Sequence, residues 1–146
     1  MGVQLLAGFV SAVAFAYLFH VPQEQIFRSG VAGGMGWAIF LLTKGGWGEI
    51  GGMFMAATVV AVLSEIMARR WRQPVVIFLI PGVIPLVPGG KAYLTMLSFL
   101  QNNYLDGLEL LVSTVFLAGA VAAGIILASS VFRVYSRAKH HKGEVR

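Results

Sequence analysis

The chain is 146 residues long, 58% hydrophobic and only 12% charged, with a mean hydropathy of +0.80 and a formal charge of +5. Soluble domains average roughly 45–50% apolar and about 25% charged residues, so this composition excludes an ordinary soluble fold and makes lipid the solvent. Cysteine is absent and the histidines are His20, His140 and His141, which excludes disulfides, thiolate chemistry and a metal site built from clustered His and Cys.

Five apolar runs predict an all-α, polytopic integral membrane protein with about five transmembrane helices. The first runs from Val3 to Phe19. Its Ala14-Phe15-Ala16 resembles a signal-peptidase site, but no Lys or Arg precedes the run, so it reads as a retained span. The second, Ser29 to Thr43, lies between Arg28 and Lys44. It gives about 22 Å of helix against roughly 30 Å of hydrocarbon, so its flanking cations must snorkel or the bilayer must thin. The third, Ile50 to Ala68, ends in Arg69, Arg70 and Arg72. The fourth, Pro74 to Leu100, is too long for one straight span and is punctuated by Pro81, Pro85, Pro88 and Gly89-Gly90, so it must be broken. The fifth, Leu110 to Phe132, is bounded by Glu109 and Arg133 and fits a tilted helix. Residues 1–135 thus read as a single transmembrane helical domain and 136–146 as a basic cytoplasmic tail.

Short cytoplasmic loops are enriched in Lys and Arg. Arg28 marks the first loop, Arg69, Arg70 and Arg72 the third, and Arg133, Arg137, Lys139, Lys142 and Arg146 the C-terminal end. Five crossings put all three inside, with the N-terminus outside and the C-terminus cytoplasmic, in the cell (cytoplasmic) membrane. A four-span version, with the broken run entering and leaving by one face, would put the C-terminal charges outside. The basic tail reads as a topology signal or a contact with anionic lipid, not as a nucleic-acid site.

Small residues at four-residue spacing, Gly8/Ala12/Ala16, Gly30/Gly34, Gly48/Gly52 and Ala120/Gly124, let helices approach closely, either within the chain or against a partner. Trp37, Trp47, Trp71, Tyr17 and Tyr135 lie near run ends and read as interfacial anchors.

The chemistry concentrates in Pro81-Gly82-Val83-Ile84-Pro85-Leu86-Val87-Pro88-Gly89-Gly90-Lys91-Ala92-Tyr93. Three prolines and three glycines within ten residues free backbone groups that lipid cannot satisfy, and irregular backbone at membrane depth is tolerated where protein buries it or a watery cavity receives it. Discontinuous helices of this kind form substrate sites in transporters, the second half-helix presenting its first N–H groups to an anionic group. Here that half-helix would begin at Gly89-Gly90, with Lys91 adding charge and Tyr93, Thr95 and Ser98 adding hydroxyls. The alternative is a kinked helix whose Lys91 snorkels to the surface.

The spacing of Pro81, Pro85, Pro88, Gly89 and Tyr93, in about 150 residues of closely packed spans with a basic tail, resembles the small subunit of the split threonine/serine exporter family. The resemblance implies export of small amino acids driven by the proton gradient, alongside a larger membrane subunit. Some split members are associated with dicarboxylate (succinate-type) export instead. Lys91 does not match a fixed lysine of that family.

Proton coupling needs a titrating group inside the membrane. Glu65 lies one helical turn before Arg69, so the two can meet as a structural ion pair or act as a gate or proton carrier. Glu49 begins the third run, where capping suits it, and His20 reads as an interfacial histidine. No Ser/His/Asp set, aspartate pair or metal-binding His/Glu motif lies within the spans, so neither an enzyme nor a cofactor is expected. The expected function is a membrane subunit of a secondary exporter, with a non-transporting assembly subunit as the competing class. Expected partners are the larger subunit, further copies of this chain, anionic lipid and a small amino-acid substrate.

Overall fold

A computed structural model describes residues 2–141, with side-chain surroundings described for 2–134. Helices α1 (Gly2–Leu18), α2 (Gln23–Trp71) and α3 (Val76–Val83) lead into a 3-10 turn (Ile84–Leu86), followed by α4 (Gly89–Leu100) and α5 (Tyr104–His141). All regular structure among the described residues is helical.

The second and third runs form two helical segments, the two halves of α2, divided at Gly48, whose backbone is the one non-helical position between them (φ 70°, ψ 178°). That backbone region is essentially restricted to glycine, which is why one residue can do the work of a loop here. The two halves of α2 double back on each other. A Cβ built on Gly36 would lie 2.4 Å from the Val60 side chain, and one on Gly52 would lie 3.2 Å from the Lys44 backbone. In a straight helix residues 36 and 60 would stand roughly 36 Å apart, so these contacts require a helical hairpin turning at Gly48.

The small residues pack this hairpin against its neighbours inside the chain. Gly8, Ala12 and Ala16 are the buried stripe of α1. A Cβ on Gly33 would come within 2.5 Å of Ala12, and one on Gly8 within 2.9 Å of Trp37, so α1 runs antiparallel along the first half of α2. On α5 a Cβ at Gly124 would meet the Phe54 carbonyl oxygen at 2.7 Å and the Thr58 nitrogen at 3.0 Å. Where lipid is as apolar as the protein, such backbone proximity supplies the packing that holds helices together.

Helix α3 wedges against both halves of α2, since a Cβ on Gly82 would meet Val60 at 2.9 Å and Ala32 at 3.4 Å. Pro81 was expected to help break the fourth run, but it sits buried inside α3, and the helix continues to Val83. Pro81 has no N–H for the Ile77 carbonyl four residues back. The hydroxyl of Ser29 on α2, fully buried, donates to that carbonyl at 3.1 Å and replaces the missing donor. The interruption falls later, at 87–88, between Val76–Leu86 and Gly89–Leu100, whose axes differ by 47°.

By length and composition α2 and α5 can cross a membrane, and the bent unit Val76–Leu86 with Gly89–Leu100 makes a third candidate; α1 is apolar but shorter. The chain is a helical membrane protein. Helix α5 exceeds the expected Leu110–Phe132 at both ends and reaches His141, so 136–141 of the expected tail continue the helix; 142–146 lie outside the described residues.

Candidate functional site

The backbone of the break comes first. Val87 is extended (φ −66°, ψ 128°) and Pro88 occupies the N-cap of α4 with no side-chain acceptor. The Gly89 N–H donates to the Val87 carbonyl at 2.7 Å, and the Ala92 N–H to the Pro88 carbonyl at 3.1 Å. The intervening amides of Gly90 and Lys91 belong to the unpaired first turn of a helix. Gly89 and Gly90 are exposed, and a Cβ on either would meet nothing within 4 Å.

The side chains expected beside the break diverge from it. Lys91 turns towards the Gly48 turn, its Nζ 2.5 Å from Glu49 Oε2 and 3.1 Å from Ser113 Oγ on α5. Glu49, the first residue after the Gly48 turn, is thus also the partner of Lys91. Thr95 is buried and its hydroxyl donates to the Lys91 carbonyl at 2.8 Å, closing on its own helix. Tyr93 is 68% exposed on the outer face of α4. Neither hydroxyl enters the break.

Pro85, in the 3-10 turn, faces a cleft of about 210 Å³ lined also by Gln4, Ala7, Gly8 and Ser11 of α1 and by Trp37 of α2. Trp37 was expected to be an interfacial anchor; it is instead packed between α1 and α2, with its Nε1 buried and without a hydrogen-bond partner. By contrast Trp47 and Tyr17 are exposed, and Trp71 lies under Arg28, whose guanidinium is 4.2 Å from the ring centroid. The side chain of Tyr135 lies outside the described residues.

A second cluster closes the opposite end of α2. Glu65 and Arg69 meet at 3.6 Å, one helical turn apart. Arg69 also donates to the Phe132 carbonyl on α5 at 3.2 Å and lies over the Phe132 ring at 4.9 Å. Glu65 is the less exposed partner, at 14% against 43%. Among the described residues no group of three or more His, Asp or Glu could hold a metal ion.

The chain matches the family model described as "Threonine/Serine exporter, ThrE" over residues 4–131. It belongs to the threonine/serine exporter family. A threonine/serine exporter of Corynebacterium glutamicum is 29% identical over 130 residues, covering 89% of this chain and 27% of that protein. An uncharacterized protein of Haemophilus influenzae is 25% identical over 137 residues, covering 88% of this chain and 46% of its own length. A probable threonine/serine exporter of Mycobacterium tuberculosis is 23% identical over 120 residues, covering 81% of this chain and 23% of its own. The chain thus spans about a quarter to a half of the length of these relatives. No solved structure matches it to the same standard.

Within this family member, Pro85 and Pro81 are expected site residues that line clefts, Pro81 in one formed with residues 19–22 and with Val76, Ile77 and Ile80, while Lys91 and the Glu65–Arg69 pair are held in ion pairs. Gln4, Ser11 and Trp37 line the same cleft as Pro85 and were not expected there. The first two lie in an apolar run with no nearby charge, and Trp37 sits close enough to a run end to pass for an anchor. A one-turn register linked Gly8 to Ala12, but nothing in the sequence paired Gly8 with Trp37.

Proposed function

We propose that the chain is the membrane part of a secondary exporter for small hydroxylated amino acids of the threonine/serine type, coupled to protons and acting with a larger membrane subunit in the cytoplasmic membrane. The observation that carries this reading is the family match across residues 4–131, which includes the whole bent unit α3–turn–α4. The bend supports it further, because discontinuous helices place backbone groups at transporter substrate sites.

The proposed topology has five crossings, with the N-terminus outside. The relative directions of the packed segments support it: α1 antiparallel to the first half of α2, the hairpin reversing at Gly48, and α3 running against the second half. On this reading the Glu49–Lys91 pair lies towards the outside and Glu65–Arg69 towards the cytoplasm. Glu65, the better shielded carboxyl, is the proposed proton-coupling or gating group, with Arg69 as its counter-charge.

A second reading, an assembly subunit whose partner holds the transport path, is favoured by one observation: the chain covers only a quarter to a half of its relatives' length. Counterflow of labelled threonine, serine and succinate separates the two, in proteoliposomes carrying the chain with its larger subunit. Threonine or serine flux is expected, absent with the chain alone and reduced by Gly89→Leu more than by Lys91→Gln. Because a Cβ at residue 89 meets nothing within 4 Å, the substitution should spare the fold, and loss of flux without loss of protein or of assembly with the larger subunit would report the path itself. Wild-type flux in both variants and in Pro85→Ala would place the path in the partner.

A further inference from the structure

We propose that the cleft between the α1–α2 loop and α3 holds one anionic phospholipid, with an acyl chain lying along α3 and the phosphate reaching Arg28 and Arg72 at the helix ends. This site is independent of what the chain exports.

The cleft, about 230 Å³ in volume, is lined by residues 19–22 on one side and by Val76, Ile77, Ile80 and Pro81 on the other. Backbone bonds hold its walls. The His20 N–H donates to the Tyr17 carbonyl at 3.1 Å and the Val21 N–H to that of Ala16 at 3.0 Å, closing α1, and the Gln25 N–H donates to the Pro22 carbonyl at 2.7 Å as α2 begins. Across the cleft Ser29 Oγ binds the Ile77 carbonyl, so the acceptor that Pro81 frees is met from inside the protein. Apart from His20 the lining side chains are apolar, and from Val76 to Pro81 they cover about 7.5 Å along the axis of α3, enough for the upper part of an acyl chain.

Hydrocarbon gains little by exchanging one apolar surface for another, so the cleft alone selects no lipid. Charge supplies the selection. The end of the fold that contains the cleft carries Arg28, Arg69, Arg70, Arg72 and Arg133 against Glu24 and Glu65, whereas the opposite end carries Lys44 and Lys91 against Glu49, Asp106 and Glu109. Among the described residues the ion pairs are Glu65–Arg69 and Glu49–Lys91, which leaves Arg28 and Arg72 without a carboxylate partner. Basic pockets between transmembrane helices recognise anionic head groups, and a zwitterionic head group would bring a cation of its own to the same place.

Arg28 stands beside the wall of the cleft. It directly precedes Ser29, which binds the Ile77 carbonyl, and its guanidinium is stacked 4.2 Å from the centroid of the Trp71 ring, itself 6.2 Å from that of Phe78 on α3. One of its N–H groups goes to Gln25 Oε1 at 2.6 Å, and the remaining donors suit the paired oxygens of a phosphate. Arg72, exposed in the linker four residues before Val76, and His20 at the rim supply further donors. A lipid seated there ties the α1–α2 loop to the start of the bent unit.

Native mass spectrometry of the full chain released from detergent micelles, titrated with phosphatidylglycerol or phosphatidylcholine, counts the lipid directly. An arginine near an anionic lipid surface is worth about fivefold in binding. The first phosphatidylglycerol is expected to bind at least tenfold more tightly than phosphatidylcholine, and Arg28→Gln and Arg72→Asn each to weaken it about fivefold. Arg72 is exposed, and its left-handed backbone (φ 53°) accepts asparagine, so this variant carries the test should Arg28→Gln fail to fold. Ile80→Trp, which fills the cleft from a half-exposed position and leaves the charge unchanged, is expected to weaken binding at least fivefold, and Arg133→Gln to leave it unaltered. Equal affinity for the two lipids would overturn the site. An equal loss in Arg133→Gln and Arg72→Asn would replace it with diffuse surface attraction. Full binding by Ile80→Trp, or displacement of the lipid by an equal concentration of glycerol 3-phosphate, would show that the cleft holds no acyl chain and overturn the proposal as well.

Discussion

Removing the Ser29 hydroxyl tests why a proline is tolerated inside α3. Pro81 deprives the Ile77 carbonyl of its helical donor, and Ser29 Oγ, 3.1 Å away and fully buried, is the group that supplies one; the same oxygen also lies 3.1 Å from the Gln25 carbonyl of its own helix. Interhelical hydrogen bonds in membrane bundles average about 0.6 kcal/mol and reach about 1.7 kcal/mol, the low mean arising because the loosened chain usually finds other partners. Here the backbone donor is chemically absent and the position is shut off from solvent, so the upper part of that range applies. Ser29→Ala should cost about 1 kcal/mol, roughly a fivefold change in the unfolding equilibrium. The decisive comparison is the Pro81→Ala background. An alanine there restores the N–H, the helix satisfies Ile77 itself, and Ser29→Ala should cost about 0.3 kcal/mol or less, since the bond back to Gln25 is local and nearly neutral. Reversible unfolding of the four proteins in mixed micelles measures the coupling. An equal cost of Ser29→Ala in both backgrounds would refute the reasoning, because the hydroxyl would then be acting on something other than the carbonyl that Pro81 leaves free.

Two further outcomes follow from the packing and the charge pattern. Gly124→Ala pushes a methyl to 2.7 Å from a backbone oxygen, about 0.7 Å inside ordinary contact, and should destabilise the chain by about 1–3 kcal/mol, whereas Gly119→Ala on the same helix meets open space and should be neutral or stabilising by about 0.5–1 kcal/mol; matching thermal midpoints for the two in detergent would contradict the close approach of α5 to α2. Single cysteines at Asn102 and Ser136 of this cysteine-free chain should be labelled from opposite faces of intact cells, and labelling of both from outside would exclude the proposed five crossings.

The helical membrane character needed no structure. A composition this apolar, with most charges at the ends of runs, does not suit an ordinary soluble fold, and the obligation to satisfy backbone groups internally leaves helices as the natural solution for runs of this length. The region of the bend was also readable, because proline's missing N–H and glycine's freedom are local properties that act through the chain on either side. So was the meeting of Glu65 with Arg69, one turn apart on the same helix.

What tertiary structure decided are the relations between residues far apart in the chain. Pro81 looks like a helix breaker until Ser29, from a different helix, is found beside the carbonyl it frees. The two runs on either side of Gly48 were legible as separate segments, but only the contacts between them show that they fold back on each other at that one residue. The small-residue stripes were equally compatible with a partner or with the chain's own helices, and the close contacts of Gly8, Gly30 and Gly124 assign those positions to the interior. Lys91 turned from the break to Glu49, forty-two positions earlier, because the hairpin brings that carboxylate within reach. Trp37 passed from surface anchor to cleft lining for the same reason: local sequence sets what a side chain can do, but only the crossing of helices sets what it faces.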